Sequence, residues 1–411
     1  MRIRFILLAA LSLPFFWSCD EDLSADDVPQ VYLVEFEEIT PEEPVPVETI
    51  QEYWNNQHLT EIAGMAKYSI RLFKLVYKTS FEGSSLQVSG LVATPVALEK
   101  NDRFPVMSFQ HPAITQKALC PTANPDAKSN RLVSYLASLG MVVLMPDYIG
   151  FGSSGTVFHP YMCKEYSVDA VVDFIRASRE FLFNQDPCEI NEKLFLAGYS
   201  EGAFISLATL HALESGAADA GTPVLATACG SGLYDLNKFR DWMVNQPKYD
   251  QPYIIAHILE SYSAYLGLNI DYSLVFTEQI AAAVPGMFDQ DRTIAEHNDM
   301  LEGILGTLHI GEMYNDDFEN VLQFHSEEPY AQLRQLLEDN SVKTWNLNSD
   351  LTLYYGKNDN WVPNDLSLEL YRQFRLEGAT EKVKVDMIDG VDHESAFVPI
   401  IIKAIQRFKQ Y

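Results

Sequence analysis

The chain has 411 residues, 47% hydrophobic and 12% aromatic, so apolar surface for a large core is ample and disorder is excluded as its default state. Its 29 Lys and Arg stand against 57 Asp and Glu, a formal charge of −28. Such a charge repels nucleic acid phosphates and anionic headgroups, which excludes both as partners except through a lipid anchor, and otherwise makes a well-solvated surface.

The chain opens MRIRFILLAALSLPFFWSC: Arg2 and Arg4, then an apolar run from Phe5 to Trp17. That run is short for a bilayer span and predicts an export signal over residues 1–18. Cys19, directly after it, resembles the lipidation cysteine of bacterial lipoproteins. The resemblance implies a cell-envelope lipoprotein, in the outer membrane, with a plain cleaved signal peptide as the alternative. Residues 19–48, beginning with the acidic CDEDLSADDVPQ and including ITPEEPVPVE, read as an exposed tether or linker.

Residues 49–232 predict the first part of an α/β core. KYSIRLFKLVYKTS and LQVSGLVATP, joined by FEGSS, read as a hairpin, and FPVMSF as a third strand. Helix and strand then alternate through KSNRLVSYLASLG, MVVLMPDY, SVDAVVDFIRASREFL, KLFLAG, GAFISLATLHALES and PVLATACGSG. This rhythm implies a mostly parallel sheet with helices on both faces. It stops over residues 233–345, which are aromatic and helical in pattern, as in YIIAHILESYSAYLG and NDMLEGILGTLHIGEMY. Residues 346–411 resume it with LTLYYG, LSLELYRQFRLEG, KVKVDMI and a last helix. The expectation is one α/β domain interrupted by a helical insertion.

Four cysteines follow Cys19, at positions 120, 163, 188 and 229, without a CxxC pair, so no zinc site and no other metal is expected. Disulfides and buried free thiols both remain open; if a disulfide forms, Cys120 with Cys163 is the first pair to test.

The chemistry concentrates in GYSEG, residues 198–202, which lies between a predicted strand and a predicted helix. A sharp strand-to-helix turn lifts the Ser200 hydroxyl to the carboxyl edge of the sheet, and the glycines leave room for neighbouring chain. A Gly-rich turn capped by serine is the structural alternative. A nucleophilic serine needs a base and an acid. His393, in MIDGVDHESA, follows the last predicted strand and is the only histidine after His325. Asp359, in LYYGKNDNWVP, follows the carboxyl end of a strand, whereas Asp350 precedes that strand, and Asp389 and Asp392 lie too near His393 in sequence. An oxyanion would need two backbone N–H groups. Glu201 supplies one; Ala113, or failing it Ile114, supplies the other from SFQHPAITQ, since Pro112 has none.

From about residue 67 onward the chain resembles the α/β-hydrolase superfamily. MPDYIGFGSSGTVFHPYMCKEYSVDAVVDFIRASREFL with GYSEGA is similar to the secretory lipase group, whose members insert a helical lid before the acid-bearing strand. The resemblance implies an α/β-hydrolase fold, a lid over residues 233–345, a Ser200, Asp359, His393 triad, and cleavage of small-molecule carboxylic esters without metal or organic cofactor. Where superfamily members often carry His-Gly in the oxyanion loop, this chain has His111-Pro112, and His111 is read as a loop-shaping residue. A serine peptidase, an esterase deacylating glycans, and a non-catalytic surface binding protein on the same fold are the rival readings. Substrate choice is assigned to the insertion, with Trp242, Tyr253, Tyr262, Tyr265 and Phe276 divided between its own core and an acyl pocket.

If Cys19 carries the lipid, Cys19→Ala should move the protein from the membrane to the soluble fraction on fractionation, and retention in the membrane would point to another anchor.

Overall fold

The computed structural model describes residues 31–40, 43–185, 187–306, 312–315 and 330–411. The predicted signal and Cys19 lie outside the described residues. Strand β1 (Leu33–Glu38) is followed by helices α1 (Val47–Asn56) and α2 (Thr60–Met65), then by the hairpin of β2 (Ile70–Phe81) and β3 (Ser84–Pro95). Its turn places Glu82 and Gly83 at φ 49° and 72°, the left-handed conformations of a tight hairpin turn. From β4 (Phe104–Gln110) the elements alternate: α3 (Lys128–Ser134), β5 (Val142–Pro146), α4 (Lys164–Gln185), β6 (Ile190–Tyr199), α5 (Glu201–Ser215) and β7 (Val224–Gly230). Helices α6 (Leu236–Val244), α7 (Tyr253–Tyr265), α8 (Glu278–Ala283), α9 (Ile294–Leu305) and α10 (Tyr330–Asn340) precede β8 (Asp350–Gly356), α11 (Asn364–Leu376), β9 (Val383–Ile388) and α12 (His393–Phe408).

The strands form one sheet in the order β1-β2-β3-β5-β4-β6-β7-β8-β9. The three pairings from β1 to β5 are antiparallel and the five from β5 to β9 parallel, so the fold is α/β with a mostly parallel sheet. Parallel strands are buried on both faces, which is why VVLMP and KLFLAG read as continuous apolar runs. One face packs against α1, α2, α3 and α12 through Trp54, Ile62, Leu132, Ile401 and Phe408; the other against α4, α5, α11 and the insertion through Phe174, Phe204, Phe374 and Phe239. Among the described residues no helix is long and apolar enough to cross a membrane.

The sheet corrects the predicted tether of residues 19–48. Residues Leu33–Glu38 pair antiparallel with β2 as the edge strand, and α1 begins at Val47. Only Leu33 of that strand is buried, so no apolar alternation announced it. What holds it is the Glu180 carboxylate on α4, which accepts from the backbone N–H groups of Val31, Tyr32 and Leu33 at 2.8–3.1 Å. The strand count therefore rises by one, and the predicted third strand is β4.

The described residues of the insertion carry helices α6 to α10, and their one β pairing is the bridge between Phe276 and Tyr314. Among the described residues its apolar side chains join the core of the α/β domain. Phe239, Ile255, Tyr262 and Leu337 belong to the same apolar cluster as α4 and α5. The tyrosine hydroxyls of 249, 262 and 265 donate to the carbonyls of Trp361, Met162 and Phe158 in the α/β core.

The pairing of Cys120 with Cys163 does not occur: both thiols are free and buried. Burial pushes the Cys120 and Cys163 thiols up to about 12, so the reactive thiolate is scarce near neutral pH.

Replacing Glu180 by Ala leaves three N–H groups without their acceptor and should cost about 2 kcal/mol, given ~1.5–3 kcal/mol for a hydrogen bond to a charged group. Thermal melts and limited proteolysis check this. A lowered melting temperature with new cleavage before residue 45 is expected, and wild-type behaviour would show that β1 is held by its ladder alone.

Candidate active site

The site begins with a backbone constraint at the junction of β6 and α5. Ser200 sits at φ 56° and ψ −120°, a backbone conformation that residues other than glycine rarely adopt. It is held there from both sides. Its N–H donates to the Gly230 carbonyl at 2.8 Å, and its carbonyl accepts from Ala203 and Phe204 at 3.0 and 3.2 Å. The two glycines of GYSEG are required by contact. A Cβ at 198 would lie 2.1 Å from the Gly202 carbonyl oxygen, and one at 202 would lie 1.9 Å from the Gln110 carbonyl oxygen. The elbow thus presses onto the end of β4, and Ser206 fastens it by donating to the Gln110 side chain at 2.6 Å.

The other two predicted residues converge on this hydroxyl. Residue His393 opens α12, whose N-terminus is capped by Asp392 with Ser395 in a reciprocal capping box. Its Nε2 lies 3.1 Å from Ser200 Oγ and its Nδ1 2.8 Å from Asp359 Oδ2. Asp359 follows β8, and its Oδ1 accepts from the N–H groups of Trp361 and Val362 at 3.0 and 2.9 Å, leaving Oδ2 aimed at the imidazole. The Asp359 side chain is 0% exposed and that of His393 4%. Trp361 stacks on the imidazole at 4.8 Å between centroids, and the Tyr199 hydroxyl donates to the His393 carbonyl. The rejected acids are engaged elsewhere: Asp350 pairs with Arg407 at 3.0 Å and Asp389 with Lys357 at 3.0 Å, while Asp392 is the cap.

Pro112 and Ala113 lie on the wall of the cavity that contains Ser200, so the loop after β4 faces the hydroxyl. His111 is folded away from it. The ring stacks on Tyr148 at 4.0 Å, and Nδ1 donates to the Pro112 carbonyl at 2.7 Å, while the Tyr148 hydroxyl donates to the His111 carbonyl at 2.9 Å. Burial lowers the affinity of His111 for a proton, so it stays neutral in this role.

The cavity measures about 580 Å³. Its wall mixes Tyr161, Leu233, Tyr253, Ile254, Val362 and Phe397 with the carboxyl groups of Asp250, Asp299, Glu302 and Glu394, and among the described residues it contains no Lys or Arg. Burial pushes the hydroxyls of Tyr161, Tyr199 and Tyr253 well above the ordinary tyrosine range, so they remain protonated donors. Of the five insertion aromatics singled out from sequence, Tyr253 lines the cavity, whereas Trp242, Tyr262, Tyr265 and Phe276 pack against the core. Two residues of the site escaped the sequence reading. Trp361 was quoted beside Asp359 but carried no signal of stacking, and His159, 3.0 Å from Glu201, is 42 residues from its partner. Among the described residues no group of three or more His, Cys, Asp or Glu is placed to hold a metal ion.

Three solved structures share the architecture. A protein of Legionella pneumophila is 23% identical at a TM-score of 0.79, covering 92% of this chain and 98% of its own. The rice cell wall degrading esterase LipA from Xanthomonas oryzae is 22% identical at a TM-score of 0.75, over 92% and 96%. Candida antarctica lipase A is 13% identical at a TM-score of 0.59, over 93% and 84%. At these identities the likeness is one of fold, that of the α/β-hydrolases. No curated protein matches the sequence. The family model for secretory lipase matches residues 126–391, more than half of the chain and including GYSEG and Asp359. The chain therefore belongs to the secretory lipase family and is a carboxylic ester hydrolase of the α/β-hydrolase superfamily.

Proposed function

We propose that this protein is an exported serine esterase in which Ser200 attacks the ester carbonyl, His393 takes its proton, and Asp359 holds the imidazole. The observation that carries the reading is the unbroken hydrogen-bond path Asp359 Oδ2, His393 Nδ1, His393 Nε2, Ser200 Oγ, with steps of 2.8 and 3.1 Å. With Nδ1–H donating to Asp359, the neutral imidazole presents the lone pair of Nε2 to the hydroxyl, the tautomer a general base needs. As Oγ bonds to the carbonyl carbon, its proton passes to Nε2 and the carbonyl oxygen becomes an oxyanion. Backbone N–H groups of Glu201 and Ala113 receive it. Collapse expels the alcohol, which leaves with the proton from His393. Water, deprotonated by the same imidazole, then cleaves the acyl-enzyme, releasing the acid and freeing Ser200.

Membership of a family of secretory lipases supports export, and the position of Cys19 supports lipidation; the substrate is a small-molecule ester and no cofactor takes part. Leu233, Tyr253, Ile254 and Phe397 favour an apolar acyl chain, since each buried methylene adds ~0.8 kcal/mol. Four carboxyl groups on the same wall, without a cation, disfavour anionic substrates. A second reading, deacylation of glycans, is favoured by those same acceptors together with Gln251 and Asn298, which suit hydroxyl-rich alcohols.

Ser200→Ala should reduce ester hydrolysis to background. Asp359→Asn should lower kcat about a thousandfold or more, because the amide removes the acceptor that sets the histidine tautomer. On acyl esters of one alcohol, kcat/KM should rise from acetyl to medium chains; a steady decline from acetyl, with strong activity on acetylated sugars, selects the glycan reading.

A further inference from the structure

The proposed reaction asks only for the backbone N–H of Glu201, yet its side chain is a buried acid. The residue is 1% exposed, and Oε1 lies 3.0 Å from Nε2 of His159, itself 2% exposed. The other imidazole nitrogen, Nδ1, lies 2.7 Å from the Ile149 carbonyl oxygen. A carbonyl oxygen only accepts, so Nδ1 carries a hydrogen. An imidazole bearing that hydrogen alone would turn the lone pair of Nε2 toward a carboxylate oxygen, which is repulsive. The contact at 3.0 Å therefore contains a proton, and the two side chains together carry no net charge.

Among the described residues no neighbour replaces His159 in this. His111 and His257 are buried and held toward the neutral form, and the hydroxyls of Tyr148, Tyr161 and Tyr253 are held protonated by burial. Asp147, which also faces His111, would add negative charge. The second carboxyl oxygen, Oε2, meets no donor among the described residues. Without His159, an ionised Glu201 would be an uncompensated charge in a low-dielectric region beside the N–H that its own backbone offers to the oxyanion.

We propose that His159 is a positioning residue of the ester hydrolysis: by holding a proton against Glu201 it both fixes the elbow residue and keeps a buried negative charge from opposing the oxyanion. The inference rests on the reading of Ser200 as nucleophile and Glu201 N–H as oxyanion donor. It assigns a function to the HPY stretch after the β5 loop, which the proton path through His393 does not touch.

The test is a double-mutant cycle on His159→Phe and Glu201→Gln, with kcat followed from about pH 7 to about pH 10, because burial raises the pH at which an unpaired carboxyl ionises, and compared at the alkaline end. Phe preserves the ring volume among Tyr148, Phe151 and Tyr161. His159→Phe should lower kcat about tenfold or more while KM changes by about twofold or less, since the charge acts on the transition state. Adding Glu201→Gln should recover most of that loss, because the amide has no charge to oppose the oxyanion. A double variant no better than His159→Phe, or a His159→Phe enzyme with wild-type kcat, overturns the proposal. Should His159→Phe fail to fold, His159→Gln takes its place in the cycle: its amide offers a hydrogen bond but no proton to neutralise the carboxylate, so a loss of kcat relieved by Glu201→Gln supports the proposal, and a wild-type kcat or an unrelieved loss overturns it. Covalent labelling of wild type at Ser200 by a fluorophosphonate is run alongside. Absence of labelling refutes the nucleophile itself, whereas labelling with no rescue in the cycle refutes only the part assigned to His159.

Discussion

The close approach of Gly202 to the carbonyl of Gln110 is the constraint on which the site depends. It lets α5 start directly at the end of β6 while the loop after β4 passes across its first turn, and a methyl group at 202 would end 1.9 Å from the Gln110 oxygen. That contact fixes Ser200 in a left-handed conformation, φ 56°, that no local preference of serine would choose. The strain is sustained by surroundings that are almost wholly buried: Tyr199, Glu201, Phe204 and Gln110 are each 2% exposed or less. The carboxyl edges of β6, β7 and β8 then lie side by side, and the loops leaving β8 and β9 bring Asp359 and His393 to the same hydroxyl.

Hydrogen bonds fasten described residues of the insertion to this edge. The Tyr249 hydroxyl donates to the carbonyl of Trp361, the residue that stacks on His393, at 2.8 Å. Gln290 donates to the Gly150 carbonyl at 2.6 Å, beside the loop that carries His159. Changes in the helical insertion are therefore transmitted directly to the walls of the catalytic histidine proposed here, and the shape of the cavity is a joint property of insertion and core.

Much of this was legible in the sequence because it depends on local pattern. The alternation of apolar runs with helical spacing announced the parallel sheet, and Gly198, Ser200 and Gly202 between a strand and a helix announced the elbow. The order Ser, Asp, His, each beyond the carboxyl end of a predicted strand, placed three side chains at one edge. What was not legible depends on contacts between distant segments. Strand β1 buries one side chain and is held by a carboxylate 147 residues away at Glu180. The pairing of His159 with Glu201 spans 42 residues, and a Glu after the nucleophile gave no hint of a partner. Of the aromatic residues in the insertion, composition could say that some face the cavity and not that Tyr253 does while Trp242, Tyr262, Tyr265 and Phe276 turn inward.

The central claim is that the strained serine, and no other hydroxyl, is the nucleophile. Reaction of the native protein with a fluorophosphonate, followed by peptide mass mapping, measures it most directly. The account predicts one adduct per chain, on Ser200, formed in the folded protein and lost on denaturation before treatment. An adduct on any other residue, or none in a folded sample that hydrolyses esters, would contradict it.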